Sequence, residues 1–280
     1  MPQSGRQEAA EKPFSGGVVQ RCHPVTRTML PPARRQELVQ AYRQAMPVDH
    51  PPADPFDIGR AVETFDDILA RGRYGPPGPN PFERIVTWIF VGHRSEVAQA
   101  LSRALRPLLV ASFSYAVPTE SCLRRIAELG PIVEVGAGSG YWARCLAERG
   151  AAIRAFDRTL PADQRRKGGA FVEHFAIESG GPEAAAEALG AARTLLLCWP
   201  PGVTNREEVD AGAAPTFSNM GLAALAVFRG SRLVFIGERS DSFGSPAFFA
   251  ALDRQYLLER REPLPNLGSW KDAALFFRRR

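Results

Sequence analysis

The spacing of apolar residues divides the chain into two parts. Between residues 34 and 110, apolar side chains recur three and four positions apart, which places them on one stripe of a helix. The predicted stripes are Leu38, Tyr42 and Met46; Ile58, Ala61, Val62, Phe65, Ile68 and Leu69; Phe82, Ile85, Val86, Ile89 and Phe90; and Val97, Leu101, Ala104, Leu105 and Leu108. From residue 131 onward, short apolar runs alternate with helical stretches, which is typical of parallel strands joined by crossover helices. The sequence therefore predicts helices followed by an α/β domain.

The apolar runs of the second part predict a seven-stranded, mostly parallel sheet flanked by helices. The predicted strands are 132–135, 152–156, 170–173, 194–198, 232–236, 257–262 and 274–278. Residues 1–33 are rich in Pro, Gly, Ser and charge without a hydrophobic period, which predicts a flexible arm. We therefore expect three units: the arm at 1–33, a helical cap at 34–110 and the α/β domain at 111–280. The alternative is that the cap helices pack continuously onto the sheet as one globule.

Composition and charge narrow the classes of protein. With 280 residues and 45% hydrophobic residues, the chain is long enough to bury a substantial core. It has no apolar run of membrane-spanning length and no secretory signal pattern, so we expect a cytoplasmic protein without a membrane partner. The net charge is +5, but basic and acidic residues mostly alternate, which argues against a nucleic-acid partner. The four cysteines are widely spaced, so no metal site is expected.

The most informative segment is a glycine-rich turn that follows the first predicted strand. Gly136, Gly138 and Gly140 lack a side chain where the backbone must turn sharply and lie close to a ligand. An acid, Glu134, precedes the turn, and Asp157 follows the second strand, where a carboxylate can accept hydrogen bonds from both hydroxyls of a ribose. A glycine-rich turn alone also occurs in dinucleotide-binding enzymes and in purely structural turns.

This combination resembles class I S-adenosylmethionine-dependent methyltransferases, which have a Rossmann-like fold. The resemblance covers the chain from about residue 112 to its end. It implies that the three glycines lie beneath the methionine and ribose of the cofactor, that Glu134 orients the amino-acid end, and that Asp157 holds the ribose. By position alone, it also implies adenine contacts for Glu173, His174 and Phe175.

A second signal follows the fourth predicted strand, where the sequence reads Cys-Trp-Pro-Pro-Gly. It is similar to the Asn/Asp-Pro-Pro-aromatic motif of amino-methylating enzymes, but Trp199 replaces the polar residue and Gly202 the aromatic one. The resemblance is closer to a little-characterised subgroup of the same family. It implies cofactor contacts for Cys198 and Pro200, with Trp199 at the position of methyl transfer. Pro200-Pro201 also has an ordinary interpretation as a rigid turn.

The segment before the glycine turn supplies the remaining candidates. Tyr115 and Glu120 are expected at the lip over the cofactor and, with Trp199, are the candidate catalytic residues. Glu120 could instead begin a helix. If the acceptor must lose a proton, the candidate bases are His93, Glu120, Tyr115 and His174.

The sequence thus predicts S-adenosylmethionine as cofactor and N- or O-methylation of a small-molecule acceptor. Three alternatives remain open at this point. The chain could be a catalytically silent module that binds S-adenosylmethionine or a partner, because the polar residue is missing at Trp199. It could methylate protein or nucleic acid, or it could be a nucleotide-dependent oxidoreductase.

Overall fold

The computed structural model describes residues 31–45, 80–92, 95–161, 172–267 and 270–280. Its helices, numbered within those ranges, are α1 (Pro32–Ala45), α2 (Pro81–Gly92), α3 (Ser95–Ser112), α4 (Glu120–Ala127), α5 (Tyr141–Ala147), α6 (Ala186–Ala191), α7 (Arg206–Asp210), α8 (Met220–Val227) and α9 (Pro246–Gln255). The strands are β1 (Ile132–Val135), β2 (Ile153–Asp157), β3 (Glu178–Ser179), β4 (Thr194–Cys198), β5 (Arg232–Gly237), β6 (Tyr256–Pro263) and β7 (Ala273–Arg279).

The strands form one seven-stranded sheet in the order β3-β2-β1-β4-β5-β7-β6. The pairs from β3 to β5 are parallel, and β7 is inserted antiparallel between β5 and β6. This is the predicted Rossmann-like sheet with flanking helices, and the prediction of the fold is confirmed. The order reverses beside β1, since the chain runs outward to β2 and β3 and then returns to β4. The carboxyl ends on either side of such a reversal leave a crevice for a ligand.

The third strand lies further along the chain than the sequence predicted. It consists of Glu178–Ser179, paired with Phe156 and Asp157. The predicted strand at 170–173 is wrong for its described residues: Val172 and Glu173 are not in a strand, and Val172 donates its backbone N–H to the carbonyl of Ala111. Residues 170 and 171 lie outside the described part. Both residues of β3 are exposed, so no apolar run marks this strand.

Alternate residues of the central strands point to the two faces of the sheet, as the two-residue period of a strand requires. Leu196, Val234 and Ile236 belong to a core shared with helices α1 to α5. Leu195 and Leu233 belong to the opposite core, beneath helices α6, α8 and α9. The sheet is therefore covered on both faces, and the loops that follow the parallel strands lie at the carboxyl ends of those strands.

The described N-terminal helices share a core with the sheet. Residues of α1, α2 and α3, among them Leu38, Phe82 and Leu101, belong to the same buried cluster as Ile132 and Val234. The predicted helix around residues 58–69 and residues 1–30 of the predicted arm lie outside the described part. The division into arm, cap and α/β domain remains a prediction. Within the described ranges, no helix combines the length and apolar character that a membrane crossing requires.

Candidate functional site

The glycine turn joins β1 to α5 through left-handed backbone. Gly136, Gly138 and Gly140 have φ angles of +79°, +57° and +74°, a region that costs a residue with a side chain about 1 kcal/mol or more. The turn is fastened to the next strand, because the N–H groups of Gly136 and Ala137 both donate to the carbonyl of Phe156, at 2.8 and 3.0 Å. The backbone therefore reverses at the edge of the sheet in a fixed position.

The three glycines have different surroundings. A Cβ atom at Gly136 would lie 2.8 Å from Cε of Met220, and one at Gly140 would lie 2.8 Å from Cβ of Phe175. A Cβ atom at Gly138 would meet no atom of the other described residues within 4 Å, its two chain neighbours apart. Gly136 and Gly140 thus allow close packing inside the protein, whereas Gly138 leaves open space over its backbone.

Asp157, at the end of β2, holds the turn in place. Its Oδ2 accepts a hydrogen bond from the N–H of Gly138 at 2.8 Å, and its Oδ1 accepts one from the N–H of Thr159 at 2.8 Å. Each carboxylate oxygen can accept a further bond. Asp157 therefore lies beside the open space at Gly138 with capacity for a ligand's hydroxyl groups.

Glu134 is a buried carboxyl group with one oxygen unpartnered. It lies within β1, it is 1% exposed, and its Oε2 has no hydrogen-bond partner among the described residues. Burial and, to a lesser degree, the charge of Asp157 raise the pKa of Glu134 to about 8, although the backbone N–H of Ala143 acts in the opposite direction. Since an unpaired buried charge is costly, this oxygen fits a cationic partner such as an ammonium group.

A cavity of about 700 Å³ connects these groups to an aromatic wall. We call one side of it the carboxylate half, which is lined by Glu134, Gly136, Ala137, Gly138, Ser139, Trp142, Asp157, Arg158, Gly180 and Gly181. We call the other side the aromatic half, which is lined by Val110, Ser114, Tyr115, Cys198, Trp199, Pro201, Val203, Arg206, Ser218, Met220, Ser242, Phe243 and Trp270. The strand ends β1, β2, β4 and β5 thus contribute to one continuous space.

Trp199 is at the centre of the aromatic half. Its φ angle is +48°, in the left-handed region, where the chain leaves β4 and enters Pro200-Pro201. Its ring stacks on Tyr115 with centroids 5.1 Å apart and an interplanar angle of 20°. It also contacts Phe243 at 4.4 Å and Trp270 edge-on at 5.8 Å. Four aromatic side chains from separate segments therefore form one wall.

A buried carboxylate and an arginine fix the Trp199 ring. Its Nε1–H donates to Oδ1 of Asp272 at 2.9 Å, and the Arg106 guanidinium lies 5.2 Å from the ring centroid. Burial raises the pKa of Asp272 to about 6, while the hydrogen bond from Trp199 and the charge of Arg106 partly oppose the rise. The indole is thus held at its N–H and contacted by a cation.

The loops after β4 and β5 are joined by backbone hydrogen bonds. The N–H of Gly202 donates to the carbonyl of Ser242 at 3.1 Å, and that of Val203 donates to the carbonyl of Asp241 at 2.9 Å. A Cβ atom at Gly202 would lie 1.8 Å from the carbonyl oxygen of Asp241, so glycine is required there. This close approach explains why the Pro-Pro motif ends in glycine and not in an aromatic residue.

The lip segment, residues 112–118, is tied to the glycine turn from the other side. Ser139 Oγ donates to the carbonyl of Phe113, and Trp142 Nε1 donates to that of Ala116 at 3.3 Å. The Nδ2 of Asn80 donates to the carbonyl of Pro118 at 2.6 Å. The segment that carries Tyr115 is therefore anchored at both ends, while the Tyr115 side chain is 45% exposed.

The structure brings most of the predicted site residues to the cavity. Tyr115, Glu134, Gly136, Gly138, Asp157, Cys198 and Trp199 all line it. Burial raises the pKa of the Cys198 thiol well above its usual range, so this side chain keeps its proton. The described residues that line the cavity do not include Glu120, Gly140, Glu173, His174 or Pro200.

Glu120 and His174 have structural surroundings instead. Glu120 begins α4 and forms ion pairs with Arg149 and Arg124; burial raises its pKa, but these arginines outweigh that effect and hold it below its usual range. His174 lies behind the glycine turn, where its Nε2 and the carbonyl of Ser112 are 2.7 Å apart. Burial lowers the pKa of His174 to about 4, so the ring is neutral. His93 lies outside the described residues.

Sequence reasoning missed three residues that line the cavity, Phe243, Arg206 and Arg158, and two that contact Trp199, Arg106 and Asp272. Phe243 and Arg206 follow β5 and β4 at the carboxyl edge, so the position of ligand sites in open α/β sheets was a signal that could have found them. Arg158 directly follows Asp157. Arg106 and Asp272 carried no local signal, because their contacts with Trp199 join distant parts of the chain.

No protein-family model matches the sequence, and no curated protein matches it. Among solved structures, the chain is similar to an rRNA methylase from Streptococcus thermophilus at 16% identity and a TM-score of 0.36, covering 57% of this chain and 95% of that one. It is similar to the N-methyltransferase NodS from Bradyrhizobium japonicum at 11% identity and a TM-score of 0.35, covering 57% and 93%. A mitomycin 7-O-methyltransferase shares 14% identity at a TM-score of 0.34, with 88% and 67% covered. These three methyltransferases have names that point to different acceptors.

Proposed function

We propose that the chain is an S-adenosylmethionine-dependent methyltransferase that acts on the nitrogen or oxygen of a small molecule. The observation that carries this proposal is the unpartnered Oε2 of the buried Glu134, placed in the same cavity half as Asp157 and the open backbone of Gly138. These groups fit a ligand that carries an ammonium group and a ribose diol, which S-adenosylmethionine does.

In this proposal each half of the cavity has one task. Glu134 binds the ammonium group, Asp157 binds the ribose hydroxyls, and Gly138 lets the ligand lie against the backbone. The bound cofactor supplies a methyl group on a sulfonium, which is intrinsically reactive. Tyr115 and Trp199 then orient the acceptor and exclude water, because alignment and desolvation are the main demands of methyl transfer.

Size and charge support a small acceptor. A volume of about 700 Å³ is in the range of small-molecule and cofactor sites. Many of the described arginines are already in ion pairs, so fewer guanidinium groups are free to bind phosphates than the 35 lysines and arginines of the sequence suggest. They are Arg124, Arg125, Arg144, Arg149, Arg154, Arg158, Arg232, Arg239, Arg260 and Arg278.

The resemblance to the Cys-Trp-Pro-Pro subgroup is part of the same proposal. Trp199 occupies the position of a polar residue in amino-methylating enzymes, and here its N–H is already bonded to Asp272. It therefore offers the acceptor apolar ring atoms and no hydrogen-bond acceptor. The acceptor is held by packing at this point of the cavity.

The test is calorimetric titration of the full chain with S-adenosylmethionine, S-adenosylhomocysteine and NADH, followed by a screen for transfer of a labelled methyl group to small N- and O-acceptors. We expect the first two ligands to bind, NADH not to bind, and label to appear in a small molecule. Binding of NADH alone would select an oxidoreductase. Tight cofactor binding without any transfer would select a silent module, and salt-dependent binding of RNA or DNA would select a nucleic-acid substrate.

A further inference from the structure

The aromatic half has the composition of a site for a planar ring. Tyr115, Trp199, Phe243 and Trp270 contact one another in a continuous wall and all line the cavity. Aromatic side chains bind a flat ring by offset stacking and edge-to-face contact, which a non-planar ring of the same size cannot reproduce. The wall therefore favours an aromatic acceptor.

The charges around this wall disfavour a cationic acceptor. Arg106 lies 5.2 Å from the centroid of Trp199, and its charge is balanced by the Asp272 carboxylate that accepts the indole N–H, so Arg206 decides the sign of the charge at this wall. Arg206 lines the aromatic half, donates to Ser242 Oγ at 2.9 Å and forms no ion pair with any described carboxylate. The carboxylates that line the cavity, Glu134 and Asp157, are in the other half. Arg206 would attract an anion beside it and would repel an ammonium group.

The described lining of the aromatic half also offers no carboxylate or imidazole to take a proton. No histidine, aspartate or glutamate occurs among its described lining residues, and Cys198 holds its own proton because burial raises its pKa. His174, which is neutral, bonds Ser112 outside the cavity lining. Of the four candidate bases, only Tyr115 is among the described lining residues of this half, so an acceptor that needs a carboxylate or imidazole base finds none there.

Resting on the proposed methyltransferase function, we infer that the acceptor is a planar aromatic molecule that enters with its nucleophilic oxygen already ionised, as an aryl carboxylate or a phenolate. A lone pair of that oxygen forms the new C–O bond to the methyl carbon. The C–S bond breaks, and its electron pair goes to sulfur. The negative charge of the oxygen and the positive charge of the sulfonium cancel, so no proton has to be moved and no base is needed.

The experiment measures acceptor binding to the full chain saturated with S-adenosylhomocysteine, by calorimetry at pH 8. The probes are benzoate and 4-nitrophenol, which are ionised at that pH; phenol, which is planar but neutral; benzylamine, which is planar but cationic; and cyclohexanecarboxylate, which is anionic but not planar. We expect benzoate and 4-nitrophenolate to bind about tenfold or more tightly than the other three. Since benzoate and 4-nitrophenolate differ in the kind of oxyanion, their ratio tells which acceptor oxygen the site prefers.

A matched pair of variants tests the position of the charge. Arg206→Ala should weaken benzoate binding about fivefold to tenfold and leave the affinity for S-adenosylhomocysteine unchanged. Arg229→Ala removes the same charge from an exposed arginine that bonds the carbonyl of Ala226 outside the cavity, and it should change neither affinity.

The outcomes separate this inference from the proposed function. If S-adenosylhomocysteine does not bind, both fail. If it binds but benzylamine or phenol binds as tightly as benzoate, the charge of the acceptor is wrongly assigned. Equal binding of cyclohexanecarboxylate and benzoate would overturn the planar acceptor. Equal weakening by the two arginine variants would remove the role of Arg206.

Discussion

The two halves of the cavity lie along the same edge of the sheet but are assembled in opposite ways. The carboxylate half takes its main groups from one continuous stretch, residues 134–157, in which β1, the glycine turn, α5 and β2 follow directly. The aromatic half takes single rings from segments around residues 115, 199, 243 and 270. A short motif can therefore specify the first half, whereas the second exists only when the whole sheet has formed.

Among the substitutions that test this difference between the two halves, removing Asp157 should have the largest effect on ligand affinity. Asp157→Ala removes a carboxylate that accepts bonds from Gly138 and Thr159 and, in our proposal, from the ribose. Because hydrogen bonds to a charged group contribute about 1.5–3 kcal/mol, we expect the affinity for S-adenosylhomocysteine to fall about 100-fold in calorimetry.

Asp253→Ala is the matched control for that experiment. Asp253 is an aspartate whose partner is Arg239, away from the cavity, and its loss should leave the affinity unchanged. If both variants bound the ligand as the native protein does, the carboxylate half would not be the binding site.

A methyl group at Gly138 should have the next largest effect. Gly138→Ala places a Cβ atom in the open space over the turn at φ +57°, so folding should cost only about 1 kcal/mol while ligand affinity falls about tenfold or more. Gly150→Ala is the control, because Gly150 also has a positive φ, of +83°, with no atom near a Cβ, and it does not line the cavity. Urea unfolding and calorimetry should show a stability loss in both variants and an affinity loss in Gly138→Ala alone. An affinity loss of the same size in both would contradict a ligand over Gly138.

Glu134→Gln tests the buried charge through its pH dependence. The pKa of Glu134 is raised from 4.5 to about 8, so between these values the folded protein keeps a proton that the unfolded chain has released. The free energy of unfolding of the native protein should therefore fall as the pH rises from about 4.5 to about 8. Glutamine has no such proton, so the variant should be the more stable protein at pH 8, with little difference near pH 4.5.

The same substitution should change the protons released on ligand binding. At pH 7 the ammonium group of S-adenosylhomocysteine should favour the ionised Glu134, so binding to the native protein releases up to about one proton. Calorimetry in phosphate and in Tris, which differ in their heats of ionisation, measures this number. We expect it to drop in Glu134→Gln, together with an affinity loss of about tenfold. Equal proton release by the two proteins would separate Glu134 from the ligand's ammonium group.

The smallest effect is expected from Asp272→Asn. Asparagine keeps an oxygen that can accept the N–H of Trp199, so acceptor binding should change by about threefold or less. Asp272→Leu removes that oxygen and leaves a buried N–H without a partner, which costs about 1–3 kcal/mol. The benzoate affinity and the tryptophan emission should both move further in the leucine variant. The reverse order would mean that the charge of Asp272, and not its hydrogen bond, holds the ring.

The two halves of the cavity also differ in how well their residues can be predicted from the sequence. The strands β1, β4 and β5 are mainly apolar and are buried, so central parallel strands could be expected, and the turn at Gly138 with Asp157 at the end of β2 follows from local spacing. Strand β3 could not be predicted, since it has two exposed residues and is defined by its pairing with β2 alone. The roles of Arg106 and Asp272 depend on tertiary contacts with Trp199 that have no fixed sequence separation.

The hydrogen bonds between the loops after β4 and β5 have a consequence for motion. Gly202 bonds to Ser242 on one side and accepts the N–H of Ser218 at 2.7 Å on the other, so three chain segments share one small ladder. Opening any one of them exposes the amides of the others. The backbone N–H groups of Gly202, Val203 and Ser218 should therefore exchange with deuterium at one common rate, and Trp199 and Phe243 should leave or enter the wall together.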